Sequence, residues 1–336
     1  MHVVRTVKNK EKTLNNMTEG KTVAVVMCTY NGEKFLREQL DSILRQTYPI
    51  SEIIVQDDCS TDSTVAILRS YAARDGRVRV IVNEHNLGFN RNFRSAVMKA
   101  TADFVAISDQ DDVWMPDKIE RQVEAIGQYN ICYSDHLRGT TLEGAHTVSP
   151  RCSLEALMFG GFAGHTMLLR RDFVQRDDVW MDGIYYDWSL GLNAYFHGEK
   201  AITHIGKPLN WHRSHPQEAA LLQSLSVNPA PKSRPTWQPY VLGYAHFRRL
   251  QHKPAWQRLY SHILENTRDP RFHLHHTMAR LMLSRSPLAM LRLCTICMKH
   301  RRDIYPNAAK TNGIMGMVRG FCWPMIFAYR CSQFDL

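Results

Sequence analysis

Residues 22 to 108 alternate four short apolar runs with three segments in which apolar residues recur at helical spacing. The runs, rich in β-branched residues, are 22–28, 52–56, 78–82 and 104–107. Continuous apolar runs of this length are typical of strands covered on both faces. The first intervening segment places Leu36, Leu40 and Ile43 three or four residues apart, as on one face of a helix. With no hairpin signal between the strands, the alternation predicts an α/β fold with a parallel sheet and right-handed crossovers.

The pattern changes after residue 130 and again after residue 215. Further short strands are expected at 131–135, 166–169, 201–205 and 209–211, with a polar loop over 135–148 and a helix that starts near 185. Four prolines between 226 and 240 are typical of a linker, and the segments beyond it have helical spacing. We therefore expect a disordered segment at 1–20, an α/β domain at 21–215 divided near 130, a linker at 216–240 and a helical region at 241–336.

Charge is distributed unevenly along the 336 residues. The net charge is +10, but residues 216–336 contribute +12 and the rest of the chain −2. A basic surface of this kind suits nucleic acid or an anionic membrane. No stretch reaches about 18 uncharged apolar residues, so no membrane-spanning helix is expected. The apolar segment 314–329, which contains Arg319 and Pro324, either lies in a membrane interface or packs on the α/β domain.

Two features predict a cytoplasmic protein, at most peripheral on the inner face of the cell membrane. The segment up to Gly20 has basic residues but no apolar core, unlike a secretory signal. The eight cysteines are scattered through what reads as an intracellular α/β pattern, so reduced thiols are expected.

Three carboxylates follow the fourth apolar run within four residues: Asp109, Asp111 and Asp112. Like charges at this density repel one another unless solvent or a bound cation offsets them. The carboxyl ends of parallel strands are where open α/β sheets bind ligands. Mg²⁺ or Mn²⁺ held by carboxylates and by a substrate's phosphates would suit the position. The structural alternative is a solvated turn in which Asp112 or Asp117 caps the next helix.

A second acidic pair, Asp57 and Asp58, follows the second run. If the two strands are neighbours, both sets of acids face one crevice. One set could then accept hydrogen bonds from a base or ribose, while the other holds a metal on phosphates. No Gly-x-Gly-x-x-Gly follows the first strand and no Gly-Lys-Ser/Thr loop occurs, which excludes the dinucleotide-binding and P-loop folds.

Four motifs, in this order and spacing, resemble family 2 glycosyltransferases. They are Cys-Thr-Tyr-Asn-Gly-Glu at 28–33, Asp-Asp-Cys-Ser-Thr-Asp at 57–62, Asn-Leu-Gly at 86–88 with Asn92, and Asp-Gln-Asp-Asp-Val-Trp at 109–114. The last motif and Tyr-Asp-Trp at 186–188 are similar to bacterial rhamnosyltransferase-like members that build surface polysaccharide. The resemblance covers residues 21–215. It implies a GT-A fold, a nucleotide-diphosphate sugar donor, a saccharide or lipid-linked acceptor, Mg²⁺ or Mn²⁺, and inversion at the anomeric carbon.

The resemblance also implies site residues, with a nucleotide-sugar half at 21–130 and an acceptor and catalytic half at 131–215. Contacts to the nucleotide sugar are expected from Thr29, Tyr30, Asn31, Glu33, Asp57, Asp58, Asn86, Asp109 and Arg213. The metal ligands are expected to be Asp111 and His215, with Asp112 as second choice. Asp187 matches the general base, and Gly164, His165 and Trp188 are expected on the acceptor side.

Simpler explanations exist for several of these residues. Asp187 at a helix start can be a cap, His165 beside a strand can be structural, and residues 212–215 can form a basic surface loop. Two other functions are also open. A nucleotidyltransferase would use similar carboxylates but needs a basic loop after the first strand, where Thr29-Tyr30-Asn31-Gly32 has no charge. The second alternative is a protein that binds polyanions through its basic tail. Of the possible anionic partners, nucleic acid is less favoured than a membrane surface.

Overall fold

A computed structural model describes residues 20–215, 237–305, 308–331 and 334. The expected disordered segment, apart from Gly20, and most of the expected linker lie outside these residues. The described chain divides into two compact units. The first contains residues up to 149, together with 163–180 and 197–214, and the second contains 150–162, 181–196 and residues from 215 onward. Residues 150–162 and 181–196 thus group with the helical region rather than with the sheet, unlike the sequential division expected from the chain.

The first unit follows the expected alternation of strands and helices. Its strands are β1 (Val23–Thr29), β2 (Glu52–Asp57), β3 (Val78–Val82), β4 (Phe104–Ser108), β5 (Val113–Trp114), β6 (Ile131–Gly139), β7 (His146–Val148), β8 (Met167–Arg170) and β9 (Ile202–Arg213). Its helices are α1 (Leu36–Leu44), α2 (Thr64–Ala72), α3 (Phe89–Val97), α4 (Lys118–Ile126) and α6 (Arg171–Val174). The intervening helix α5 (Leu154–Leu157) belongs to the second unit. Short 3₁₀ turns lie at Gly164–Thr166 and Asp177–Val179.

The strands form one mixed sheet in the order β3-β2-β1-β4-β8-β6-β9-β5, and β7 pairs with β6. β3, β2, β1 and β4 are parallel to one another, as the alternation predicts. β8 is antiparallel to both β4 and β6, so the parallel part ends there. β9 is one continuous strand over the region where two short strands were expected, and it pairs in parallel with β6 and antiparallel with β5.

The core of the first unit lies between the central strands and their covering helices. Val25, Ile53 and Ala106 on adjacent strands are completely buried, as are Leu40 and Ile43 of α1. Burying such residues contributes roughly 1.5–3 kcal/mol for each large aliphatic side chain. This packing explains why the strand runs lack polar alternation and why the strand ends are held in a defined position.

The second unit is helical. Its helices are α5 (Leu154–Leu157), α7 (Tyr186–Phe196), α8 (Gln238–Leu250), α9 (Pro254–Asn266), α10 (His273–Leu283), α11 (Pro287–Lys299), α12 (Arg301–Ile304), α13 (Gly313–Phe321) and α14 (Trp323–Arg330). Further 3₁₀ turns lie at Pro270–Phe272 and Ala308–Thr311. Trp188 and Trp256 are fully buried, and each packs against Phe327 and Phe334. None of the described helices is long and apolar enough to cross a bilayer.

Candidate functional site

The candidate site lies where β1, β2 and β4 end. β1 lies between the other two, with Thr29 beside Asp57 and Met27 beside Ser108. The strands that carry the two acidic sets are therefore not direct neighbours; both flank the loop that follows β1. Because all three strands are parallel, their following loops gather at one edge of the sheet, where ligands of open α/β sheets bind.

Gln110 connects the loop after β4 to the loop after β1. Its Oε1 accepts a hydrogen bond from Tyr30 N at 3.0 Å, and its Nε2 donates to Tyr30 O at 3.1 Å. The amide lies against Gly32, where a Cβ would be 2.2 Å from Gln110 Oε1. The Tyr30 side chain remains 43% exposed, so it is available to a ligand.

Asn31 and Glu33 connect the loop after β1 to the loop after β2. Asn31 has a left-handed backbone with φ of 48°, and its Oδ1 accepts from Thr61 N at 2.8 Å. Glu33 Oε2 accepts from Ser63 N at 2.9 Å. Both residues therefore shape the pocket edge through bonds within the protein, and contact with a nucleotide stays a prediction for them.

Asp57 is an internal support of the site. It is fully buried; its Oδ2 accepts from Thr29 Oγ1 at 2.8 Å and its Oδ1 from Ser60 N at 2.8 Å. These bonds explain how a buried carboxylate is tolerated. Thr29 is also buried, and through its hydrogen bond to Asp57 it supports the site from within.

Asp58 organises the loop after β3. Its Oδ1 accepts from Leu87 N at 2.7 Å, and its Oδ2 accepts from Gly88 N at 2.9 Å. Asn86 Nδ2 donates to the Asp58 carbonyl at 3.1 Å. Since the two oxygens of a carboxylate can accept about four bonds, Asp58 keeps capacity toward a base or ribose.

Asp112 is at the centre of a buried polar cluster. His212 Nδ1 lies 3.1 Å from its Oδ1, and its Oδ2 lies 3.0 Å from Asn210 Nδ2 and 3.1 Å from His165 Nδ1. The rings of His165 and His212 stack with centroids 4.9 Å apart, and His136 meets both edge-on. Asp112 therefore does not cap a helix; it joins the loop after β4 to β9 and to the turn before β8.

Burial controls the charges in this cluster. It raises the pKa of Asp112, against the lowering effect of the hydrogen bond from His212. Burial also holds the pKa of His165 well below its ordinary value, with His212 and His136 acting in the same direction. Desolvation lowers the pKa of His136 to about 4 and that of the fully buried Lys118 to about 7. Lys118 Nζ donates to His165 O at 2.5 Å.

A metal ion would find suitable donors here. Ligand atoms of Asp109, Asp112, His165 and His212 all lie within 4.8 Å of one another. Two carboxylates and two imidazoles are a donor set that divalent cations accept. In the part of the chain that the structure describes, Asp111 and His215 do not join this group, so their metal-binding role stays a prediction.

Arg213 lies at the end of β9 beside the acidic stretch. Its Nε is 3.4 Å from Asp111 O, and its guanidinium forms an ion pair with Glu38. The same group stacks over the rings of Phe35 and Trp211, with centroids 4.7 and 4.2 Å away. A guanidinium held in this way is suited to an anionic ligand, which supports the position expected for a diphosphate contact.

The expected residues divide between the two units. Gly164 and His165 form a buried turn of the first unit, where His165 belongs to the Asp112 cluster. Asp187, Trp188 and His215 belong to the second unit. Asp187 lies in the first turn of α7 and accepts from Trp188 N at 2.7 Å. Trp188 is fully buried and donates from Nε1 to Leu157 O, which is a structural role. The catalytic role of Asp187 stays a prediction.

Sequence reasoning did not single out His212, Asn210, His136 or Lys118. His212 is three residues before the expected ligand His215, so the basic segment was recognised but not the residue that contacts Asp112. The other three occur singly in otherwise ordinary strand or helix patterns. Their role arises from contacts between residues that are distant in sequence, such as Asn210 to His165, 45 residues apart, at 2.8 Å.

Comparison with known proteins finds a family match for the amino-terminal half of the described chain. Residues 24–174 match the sequence profile described as Glycosyl transferase family 2. A segment of 112 residues is 36% identical to "Putative teichuronic acid biosynthesis glycosyltransferase TuaG" of Bacillus subtilis, covering 33% of this chain and 44% of that protein. A segment of 111 residues is 32% identical to "UDP-Glc:alpha-D-GlcNAc-diphosphoundecaprenol beta-1,3-glucosyltransferase WfgD" of Escherichia coli, covering 33% and 43%. These alignments span less than half the length of either relative.

A solved structure has a similar fold. S. aureus TarS 1-349 in complex with UDP-GlcNAc superposes with a TM-score of 0.55 at 15% identity, covering 84% of this chain and 81% of that one. At this identity the likeness concerns the fold alone.

Proposed function

We propose that this chain, whose residues 24–174 match the family 2 glycosyltransferases, transfers a sugar from a nucleotide-diphosphate donor to a saccharide or lipid-linked acceptor. The proposed setting is the synthesis of a bacterial surface polysaccharide, since TuaG is named for teichuronic acid biosynthesis and WfgD for transfer to a diphosphoundecaprenol-linked sugar. Rhamnose is the donor sugar that the Asp-Gln-Asp-Asp-Val-Trp spelling favours; glucose, galactose and amino sugars are the rivals.

One observation carries the proposal: donor atoms of Asp109, Asp112, His165 and His212 converge within 4.8 Å beside the loops that follow the parallel strands. We propose that this edge binds the donor diphosphate together with Mn²⁺ or Mg²⁺. The mixture of carboxylates and imidazoles favours Mn²⁺, since Mg²⁺ prefers oxygen ligands alone. The bound metal would offset the negative charge of the departing nucleoside diphosphate.

The protein's own residues have separate proposed tasks in the reaction. Asp58 and the exposed Tyr30 side chain hold the nucleoside, while Arg213 holds the diphosphate through its guanidinium. Asp109 and Asp111, in the half-buried loop after β4, face the sugar and the metal. Asp112 is a candidate metal donor and also holds His165 and His212 in position through its two carboxylate oxygens.

Asp187 is the proposed general base. It would take the proton from an acceptor hydroxyl as that oxygen attacks the anomeric carbon. One base and no covalent sugar intermediate make this a single displacement, which inverts the configuration of that carbon. A retained anomeric configuration in the product would exclude this mechanism.

The test is a thermal-shift screen of the full chain with nucleotide sugars that carry rhamnose, glucose, galactose or N-acetylglucosamine, with Mn²⁺ and with EDTA. At least one donor is expected to raise the melting temperature, and more strongly with Mn²⁺. Asp109→Asn, which removes one donor of the converging group, is expected to abolish the Mn²⁺-dependent part of the shift. Asp111→Asn tests separately the metal ligand that the family resemblance implies. Asp117→Asn is the matched control, since Asp117 lies six positions after Asp111 and pairs with Arg121 instead.

Two results would contradict the proposal. If EDTA leaves donor binding unchanged, the metal has no role in it. If no nucleotide sugar binds but a nucleoside triphosphate is cleaved with release of pyrophosphate, the protein is a nucleotidyltransferase.

A further inference from the structure

The second unit contains a helix whose large apolar side chains face outward. In α13, Ile314 is 79% exposed, Met315 58%, Met317 43% and Val318 42%. Four neighbouring apolar residues in one short helix form a patch of the kind that marks an interaction site, unlike scattered single ones.

Glycines explain why this helix faces outward. Gly316 and Gly320, one turn apart, are buried on the opposite side. A Cβ on Gly316 would lie 2.2 Å from Thr311 O, and one on Gly320 would lie 2.8 Å from Arg301 Cβ. The backbone of α13 therefore packs directly on its neighbours, which leaves no room for its large side chains on that side.

The surroundings of α13 are strongly basic. Residues 285–331 contain eight Lys and Arg residues but one acidic residue, Asp303. Lys299, Arg302 and Lys310 are exposed, and Arg319 belongs to α13 itself. Arg319 reaches back to Lys310 O at 3.4 Å, which keeps its charge next to the apolar patch.

We propose that α13 and the basic residues around it form a docking surface for an anionic membrane. An amphipathic helix binds in the interface through a buried apolar face and through attraction between basic residues and anionic headgroups. The apolar side chains 314, 315, 317 and 318 would enter the acyl boundary, and the surrounding cations would contact phosphate groups. A membrane offers both an anionic surface and an apolar interior, and so matches the exposed apolar side chains and the basic residues together. An acidic protein surface would match only the basic residues.

This assignment extends the proposed lipid-linked acceptor, because docking would bring the enzyme to the membrane that holds such an acceptor. The two proposals can nevertheless fail separately. Vesicle binding is measured without donor, acceptor or metal, so an inactive protein that binds vesicles would leave the docking surface intact.

The test is co-sedimentation of the full chain with vesicles of phosphatidylglycerol and phosphatidylcholine, compared with phosphatidylcholine alone. Binding is expected to require phosphatidylglycerol and to weaken as salt rises. Met315→Glu with Val318→Glu is expected to reduce partitioning by about tenfold or more, since apolar contact is replaced by repelling charge. Arg319→Ala alone, which removes one positive charge, is expected to reduce it roughly fivefold.

The matched control is Leu142→Glu, which introduces the same charge at a residue of similar exposure (44%) in the first unit. It is expected to bind vesicles like the wild type. Val241→Glu tests α8, another helix with exposed apolar residues, where Val241 is 66% exposed. Unchanged melting temperatures would establish that all variants are folded, as expected for exposed positions.

Three results would overturn the assignment: equal binding to both vesicle types, wild-type binding by the α13 double variant, or loss of binding only on the Val241→Glu change. If the double variant instead converts a dimer to a monomer on gel filtration, with no effect on vesicles, the patch is an interface between copies of the chain.

Discussion

The amide of Gln110 occupies the space that a side chain at Gly32 would need. A Cβ there would lie 2.2 Å from Gln110 Oε1, while both ends of the amide bond to the backbone of Tyr30. The acidic loop after β4 and the loop after β1 are thereby held together. The glycine at position 32 leaves room for this contact, and its φ is not positive, so no turn geometry calls for it.

Gly32→Ala should therefore lower both stability and donor binding. Displacing Gln110 breaks two hydrogen bonds, which would cost about 1–3 kcal/mol of the unfolding free energy. Gln110→Ala should lower the unfolding free energy by a similar amount. In the Gln110→Ala background, Gly32→Ala should lower it by less than about 0.5 kcal/mol more, because the Gln110 side chain no longer occupies that space. Chemical denaturation of the four proteins measures this coupling. Additive effects of the two changes would contradict it.

Asp112→Asn should destabilise the protein by about 2–4 kcal/mol. The amide would turn an NH₂ group toward His212 or Asn210, where a carboxylate oxygen now lies, and would leave buried groups unpaired. Asp111→Asn is the comparison, since we expect it to reduce Mn²⁺-dependent donor binding far more than stability. Thermal denaturation with and without donor distinguishes the two roles. If Asp112→Asn leaves the melting temperature unchanged, the cluster is not a structural support.

Asp187→Asn should reduce turnover by about 10²-fold or more while donor affinity stays the same, since a positioned base contributes at least that factor. The amide oxygen can still accept from Trp188 N, so the start of α7 should keep its stability. Asp182→Asn, five residues earlier and exposed, is the matched control. Activity of Asp187→Asn above a tenth of wild type would rule out the role of base.

Glu155 should make the second unit sensitive to acid. His275 Nε2 lies 3.2 Å from Glu155 Oε1, and this interaction lowers the pKa of Glu155 to about 2 against the opposing effect of its partial burial. Because the folded-state pKa is below the ordinary value of 4.5, the contribution is complete above about pH 4.5 and is lost as the pH falls toward 2.

The variant Glu155→Gln should be about 2–3 kcal/mol less stable than the wild type at pH 7, and the difference should shrink between pH 4.5 and 2.5. Denaturation at several pH values provides the measurement, and Glu143→Gln, exposed in the first unit, provides the control. A difference that stays constant with pH would mean that Glu155 contributes through packing and not through its charge.

The GT-A fold and its C-terminal helical region were expected from the sequence and are confirmed. The parallel part was predictable because β1 to β4 form by local pattern, and the apolar runs of β1, β2 and β4 are buried on both faces. β9 was expected as two strands because Gly206-Lys207-Pro208 interrupts the apolar pattern. Its pairing with β6 passes this interruption through register shifts, which depend on a partner about 70 residues away.

By itself, the sequence determined that Asp57, Asp58, Asp109, Asp111 and Asp112 lie at the ends of parallel strands, because their positions follow from covalent attachment to strands with an unmistakable local pattern. Only the tertiary structure decided which of these carboxylates turns inward. His165 and His212 contact Asp112 from positions 53 and 100 residues away in the sequence. Because Asp112 is buried and has no access to water, these contacts are what satisfies its carboxylate. The outward face of α13 was decided in the same way, since only packing on neighbouring helices selects which side of an apolar helix is buried.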